Sequence, residues 1–242
     1  LVVDDYYTAD LFRSHGNRGS TYLFLRWCAD RYGPGLLPAL VIILAFTAGS
    51  ALVMWLGEGS SSAGDGKFLF VPNTNDPLTF TWTDGKGRER SIRPQMMYTD
   101  GGSIPKIGQV FNGFGPWGYA PAYMVHDWLY VARHCNVDQT PTPAEATVAD
   151  IAFDDSAVIL AASIKALIAA GRVKQNDFAA STISGAVAGP IARNLWDKPG
   201  LCQSGRVSEA DRLAAEAAIP GSSAALRHRG VRPAAIVGEF SF

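Results

Sequence analysis

Charge is scarce in this sequence. Asp, Glu, Lys and Arg together make up 18% of the 242 residues, with 21 basic side chains against 22 acidic ones. That balance lacks the electrostatic footprint of a nucleic-acid-binding protein, so no nucleic acid is expected as a partner. Cysteine is nearly absent. Cys28, Cys135 and Cys202 are too few and too scattered for a disulfide scaffold or a Cys-rich zinc site. Histidine is also rare. His126 and His134 are eight apart, roughly 12 Å along a helix, too far to share one zinc. Neither G-x-S-x-G nor H-E-x-x-H occurs, so a nucleophile elbow and a zincin site are unsupported. The run Gly113-Phe114-Gly115-Pro116-Trp117-Gly118 fits G-x-G-x-x-G in letters. It lacks a preceding strand, and its Pro and Trp would block phosphate approach, so a dinucleotide site is rejected. What is abundant is apolar surface: 48% of residues are hydrophobic, which argues against global disorder.

The longest gap in charge runs from Arg31 to Glu58. Inside it, Leu36–Leu56 has 21 residues, 17 of them hydrophobic. About 20 such residues suffice for a helix to cross a bilayer. Pro38 fits a first helical turn, Gly49 and Ser50 permit close helix packing, and Trp27, Tyr32 and Trp55 suit the headgroup layer. The expectation is a single transmembrane helix over 36–56, with a buried core helix as the alternative. Arg18, Arg26 and Arg31 precede the run and only Lys67 follows closely. The positive-inside rule then puts residues 1–35 in the cytoplasm and the main domain on the exported side. An exported domain permits a Cys135–Cys202 disulfide; two free buried thiols are the alternative.

Residues 57–66, GEGSSSAGDG, read as a flexible linker. Beyond it the pattern predicts an α+β domain over 67–200. Lys67–Val71, Leu78–Thr83 and Arg88–Arg93, separated by turn chemistry, predict a small antiparallel sheet. Helices follow. One runs over Ala122–His134 after Pro121. A second, capped by Thr142, runs from about Ala144 to Ala170 and stops at Gly171. A third runs from Asp177 to about Trp196, and a short fourth over Ser208–Ala218 is capped by Ser208. These make a bundle of three to four helices. Residues 201–242 read as a short helix and a loosely structured tail.

The densest chemistry is His126-Asp127-Trp128-Leu129-Tyr130. His126 and Tyr130 are four apart and share a face, whereas Asp127 is about 100° around. An adjacent base and acid with different aims are what a water-activating site needs, and a His and Asp that merely cap loops are the bland alternative. Asp150 and Asp154 are also four apart, in an otherwise apolar run. Asp150 either faces His126 as a buried pairing carboxylate or belongs with Asp154 to a solvated stripe. The loop Thr99-Asp100-Gly101-Gly102-Ser103-Ile104-Pro105 either offers carbonyls to a hard cation such as Ca²⁺ or is a structural turn.

At these residues the chain resembles the family called domain of unknown function 1353, common in phage and prophage genomes. The T-D-G-G-S-I-P loop, Ala120-Pro121-Ala122 leading into H-D-W-L-Y, and Ala149-Asp150-Ile151-Ala152-Phe153 are similar to that family's three motifs, with Gly102 in place of its usual Ala. The resemblance covers roughly Lys67–Trp196. The H-D-x-x-Y helix is also similar to the His-Asp helix of secreted phospholipase A2. That resemblance implies His126 as general base, Asp127 with the Gly101 and Gly102 carbonyls as Ca²⁺ ligands, Asp150 as the carboxylate orienting His126, and Tyr130 as its donor. Leu129 replaces the Cys of that motif.

Two functions follow as expectations. The first is an accessory or structural subunit of a membrane complex or virion, contacting membrane lipid and other protein subunits, because a low-complexity linker and tail order only when a partner holds them. The alternative is a Ca²⁺-dependent, phospholipase A2-like ester hydrolase.

Overall fold

The computed structural model describes residues 45–57, 66–84, 86–100, 119–173, 189–222 and 231–242. The chain divides into two compact units, residues 1–43 with 83–88, and residues 44–82 with 89–242. The first unit's described part is a turn built on Asp84. Its carboxylate accepts the backbone N–H groups of Lys86 and Arg88 at 2.9 Å and Arg88 Nε at 2.7 Å. The Arg88 N–H leads the bonds that hold this carboxyl down at about 2.

The second unit is α+β. Its strands are β1 (Ala45–Ala48), β2 (Ser50–Trp55), β3 (Phe68–Pro72), β4 (Thr79–Thr83), β5 (Glu89–Ile92), β6 (Met97–Thr99) and β7 (Ala235–Ser241). One sheet has the order β1-β4-β5 and the other β6-β3-β2-β7. The three strands expected after residue 66 are present, each within a residue or so of its expected bounds.

The inner strands of the second sheet, β2 and β3, are covered on both faces. Ala51, Phe70 and Met97 point into the main core, whereas Met54, Leu69 and Val71 pack with Ala215 in a second cluster that Leu52, Tyr98 and Ile219 border. A strand covered on both faces needs apolar side chains at every position and loses its alternation. This corrects the reading of Leu36–Leu56 as one transmembrane helix. Residues 45–55 of that run form β1 and β2, and 36–44 lie outside the described residues. Gly49 separates the two strands at φ +110°, where a Cβ would collide with the Pro77 carbonyl. Among the described residues no helix is long and apolar enough to cross a membrane.

Two further boundaries move. β2 pairs antiparallel with β3, Trp55 opposite Phe68, so residues 57–66 connect two strands of one sheet and do not link separate bodies. The C-terminal tail, expected to be loose, forms β7 on the outer side of β2, with Ser50 opposite Ser241. Phe242 then donates its N–H to the Gly49 carbonyl at 3.0 Å and stacks on Phe46.

The helices are α1 (Ala120–Val137), α2 (Pro143–Ala146), α3 (Phe153–Ala169), α4 (Pro190–Trp196), α5 (Cys202–Gly205) and α6 (Glu209–Ala218). Pro121 lies in the first turn of α1, where its missing N–H costs nothing. Val125, Trp128, Leu129 and Ala132 of α1 share the main core with Ile159, Leu160, Ile164 and Leu167 of α3. Thr142 caps α2 in a full capping box with Glu145, Ser208 caps α6, and Gly171 follows α3 at φ +67°. The helix expected over 144–170 is broken into α2 and α3. Arg90 holds the intervening turn, donating to the Thr147 carbonyl at 3.2 Å and to both Asp150 oxygens at 2.8 and 2.7 Å. Of the helix expected over 177–196, only Pro190–Trp196 is helical among the described residues.

Two polar clusters fix the ends of this frame. Asp211, on α6, accepts Tyr98 Oη at 2.5 Å, Lys67 Nζ at 2.9 Å and Ser208 Oγ at 2.8 Å. Burial opposes its ionisation, but these donors outweigh that and hold its carboxyl below the usual range. Tyr98 thereby ties β6 to α6. At the other end, Cys135 and Cys202 form a disulfide with Cα atoms 4.5 Å apart, so of the two alternatives for these cysteines the bonded one is found. Asp138 next to it accepts the N–H groups of Gly200 and Cys202 at 2.7 and 3.0 Å.

The disulfide closes a loop with a sequence separation of 67. Cross-linking a loop of that size restricts the unfolded chain. Reduction, or Cys202→Ser, should therefore lower the unfolding free energy in urea by about 2–4 kcal/mol. An unchanged urea midpoint after complete reduction would contradict this.

Candidate functional site

One side of α1 gathers the polar groups. Tyr123, His126, Asp127 and Tyr130 stand at i, i+3, i+4 and i+7, so they share a strip of the helix surface. The ring centroids of His126 and Tyr130 are 5.1 Å apart, and the charge of Asp127 reaches both tyrosines. The end of β6 lies against the strip. Thr99 Oγ1 donates to Asp127 Oδ2 at 3.0 Å, and Asp100 is close enough to repel the same carboxylate.

The segment 192–202 runs along the next turns of α1. Tyr130 Oη donates to the Ala192 carbonyl at 3.2 Å, His134 Nε2 is 2.8 Å from the Leu195 carbonyl, and Arg133 pairs with Asp197. Trp196 sits edge-on to Tyr130, with centroids 4.9 Å apart. Tyr130 is thereby fixed from both sides.

His126 and Asp127 are neighbours whose pKa values are shifted in opposite directions. His126 is buried, and burial alone pulls its pKa down to about 4. Its Nε2 is buried and has no hydrogen-bond partner among the described residues, and the same holds for Tyr123 Oη and Trp82 Nε1. Asp127 is partly exposed at its side chain yet crowded enough that burial, then Asp100, raises its pKa to about 7 against the pull of the Thr99 hydroxyl. Tyr123 and Tyr130 are pushed upward, first by burial and then by neighbours including Asp127, and remain phenols.

The structure brings together only part of the expected site. His126, Asp127 and Tyr130 share the strip. Asp150 does not join them: its side chain is 61% exposed and its partner is Arg90. It sits in the turn before α3, off the helix that packs on α1, so the helical spacing that aimed it at His126 does not apply. Tyr130 gives its hydroxyl to Ala192, which leaves it no donor role toward Asp150. Asp154, in the first turn of α3, pairs with Arg193 at 2.5 Å. Gly101 and Gly102 lie outside the described residues. Among the described residues no group of three or more His, Cys, Asp or Glu could hold a metal ion. Asp127 and Asp100, near enough to repel each other, are the described carboxylates that a hard cation at this site would use.

Thr99, Asp100 and Tyr123 are additions to the expected set. Thr99 and Asp100 opened the glycine loop already singled out. Tyr123 was open to the same helical spacing that linked His126 to Tyr130. Comparison of the chain with protein-family models, with curated proteins and with solved structures finds no match in any of the three.

The two shifts give opposite pH slopes. The His126 pKa in the fold is below its ordinary 6.5, so the stability it leaves intact at neutral pH is lost as pH falls from 6.5 to about 4. The Asp127 pKa is above its ordinary 3.8, so stability present at low pH is lost as pH rises from about 4 to 7. With EDTA present, His126→Gln should gain stability relative to the unsubstituted protein on acidification from pH 6.5 to 4. Asp127→Asn should gain relative to it on raising the pH from 4 to 7. Urea midpoints across this range check both; parallel curves for all three proteins would refute the assignment.

Proposed function

We propose that the chain is an ester hydrolase of phospholipase A2-like type, acting at a lipid surface, with His126 as general base. One observation carries the reading: the buried Nε2 of His126 lacks a hydrogen-bond partner among the described residues and stands beside Asp127 and the ring of Tyr130. Buried polar atoms are ordinarily paired, so an orphaned imidazole nitrogen in a cluster of titratable groups suits a reacting partner. The likeness to family 1353 belongs to this proposal, since it rests on the same helix.

Burial keeps His126 neutral, the form that can accept a proton. In the proposed reaction Nε2 takes a proton from a water whose oxygen attacks the ester carbonyl. The resulting imidazolium returns that proton to the departing alkoxide, giving a carboxylic acid and an alcohol. Tyr130, held by Ala192 and Trp196, packs against the imidazole and fixes its plane. Asp127 and Asp100 would hold a Ca²⁺, and such an ion would supply positive charge near the ester.

A second reading, an accessory subunit bound to other protein subunits or membrane lipid, is favoured by large apolar side chains left on the surface. Ile191 is 86% exposed, Leu195 lies one turn away on α4, and Ile236 and Val237 lie on the edge strand β7. Single exposed apolar residues are ordinary, so this signal is the weaker one.

Phospholipid vesicles with and without Ca²⁺ decide between the readings. The wild-type chain should release fatty acid, and His126→Gln should slow release by about 10²–10⁴-fold, the usual cost of losing a general base, with far-UV circular dichroism unchanged. No release by wild-type protein with Ca²⁺ at millimolar order, the weak end of protein calcium sites, would remove the enzyme reading. If the accessory reading holds instead, Ile191→Glu with Leu195→Glu should abolish co-flotation of the chain with vesicles, and wild-type protein that stays unbound would exclude lipid as the partner.

A further inference from the structure

An ester hydrolase needs, besides a base for water, a donor for the charge that develops on the carbonyl oxygen. Among the described residues the site offers a side chain for that task which neither the resemblance nor the motif spacing assigned.

Tyr123 stands one turn before His126 and Asp127 on the same strip of α1. It is a buried residue, packed in the main core and edge-on to Tyr119 at 6.3 Å. Its hydroxyl is buried and without a hydrogen-bond partner among the described residues. A buried hydroxyl that serves only packing gains nothing from its oxygen, and Phe would fill the site without the desolvation cost. Two other tyrosine hydroxyls are satisfied: Tyr98 donates to Asp211 and Tyr130 to Ala192. The Tyr123 hydroxyl is thus an available donor one helical turn from the available acceptor on His126. Burial and the nearby Asp127 charge keep it a phenol, and therefore a donor, across the working range.

We propose that Tyr123 is the oxyanion donor of the site, its O–H bonding the ester carbonyl oxygen as that oxygen gains charge while His126 serves the attacking water. This rests on the hydrolase reading and names the substrate group it needs: a neutral carbonyl ester whose oxygen becomes anionic. No proton leaves Tyr123 in the step. Its hydrogen bond strengthens as the carbonyl π bond breaks and slackens when the carbonyl re-forms with loss of the alkoxide.

Tyr123→Phe tests this on the intact chain. Its kcat on phospholipid should fall about 10²–10³-fold, the cost of one oxyanion-hole donor, with KM little changed. A phosphonate analogue of the ester, which carries the anionic oxygens of the intermediate, should bind Tyr123→Phe more weakly than wild type by a similar factor. Its urea midpoint should equal or exceed the wild-type value, since no bond in the fold is lost. Wild-type turnover in Tyr123→Phe, with turnover lost in His126→Gln, would overturn the Tyr123 inference and leave the hydrolase reading standing. A lowered urea midpoint would show that the hydroxyl has a structural partner and would also overturn the inference. Absence of turnover in wild-type protein would remove both.

Discussion

The rest of the fold depends on covering both faces of β2 and β3 in the β6-β3-β2-β7 sheet. Phe70 and Met97 face the helical core of α1 and α3; Leu69, Val71 and Met54 face α6. Because β3 is buried on both sides, a one-residue slip would exchange its two sets of side chains between two clusters, each packed around the other set. That holds β6, its neighbour, at a fixed height, with Phe68 opposite Thr99. Tyr98 is pinned on one face by Asp211 of α6, and the next residue, Thr99, points the other way to reach Asp127 of α1. Strand alternation thus turns a structural anchor on one face into a site contact on the other.

Double cover alone does not decide what could be read in advance. Strands bounded by turn residues and capped helices carry local signatures, so Phe68–Pro72 and Thr79–Thr83, though buried on both faces, Glu89–Ile92, the Thr142 and Ser208 caps and the stop at Gly171 were legible. β2 carries none. Ala51, Leu52, Val53 and Met54 are apolar in succession because each face of the strand has its own cover, and a continuous apolar run has no period by which to tell strand from helix. β7 failed for the opposite reason. Its side chains are largely exposed, and its strand character comes from backbone pairing with β2, which leaves no mark on its own composition. The break between α2 and α3 is set by Arg90, about 60 residues away, and no local residue announces it.

In the candidate site, the part confined to one helix was legible and the part requiring two elements was not. His126, Asp127 and Tyr130 were visible by spacing because a single helix fixes their relations. Asp150 was assigned on the premise that it sits on a continuous helix; once the chain turns at Thr147 the premise fails and the carboxylate goes to Arg90. Thr99 meets Asp127 across 28 residues of sequence through a strand-to-helix contact that spacing alone cannot supply.

One step along α1 separates two groups that burial drives in contrary directions, and this decides the electrostatics of the strip. Desolvation disfavours the charged form of each, lowering His126 to about 4 and raising Asp127 to about 7. Between those values both are neutral, so the strip buries no ion pair and avoids that desolvation cost. Above about 7 Asp127 alone ionises, and the resulting charge lies beside a neutral base, two phenols and a second carboxylate. None of these described neighbours is cationic. The helix therefore sets one residue apart a group that is charged above about 7 and a group that is neutral there, and under the proposed hydrolase reading these divide the holding of charge from the moving of protons.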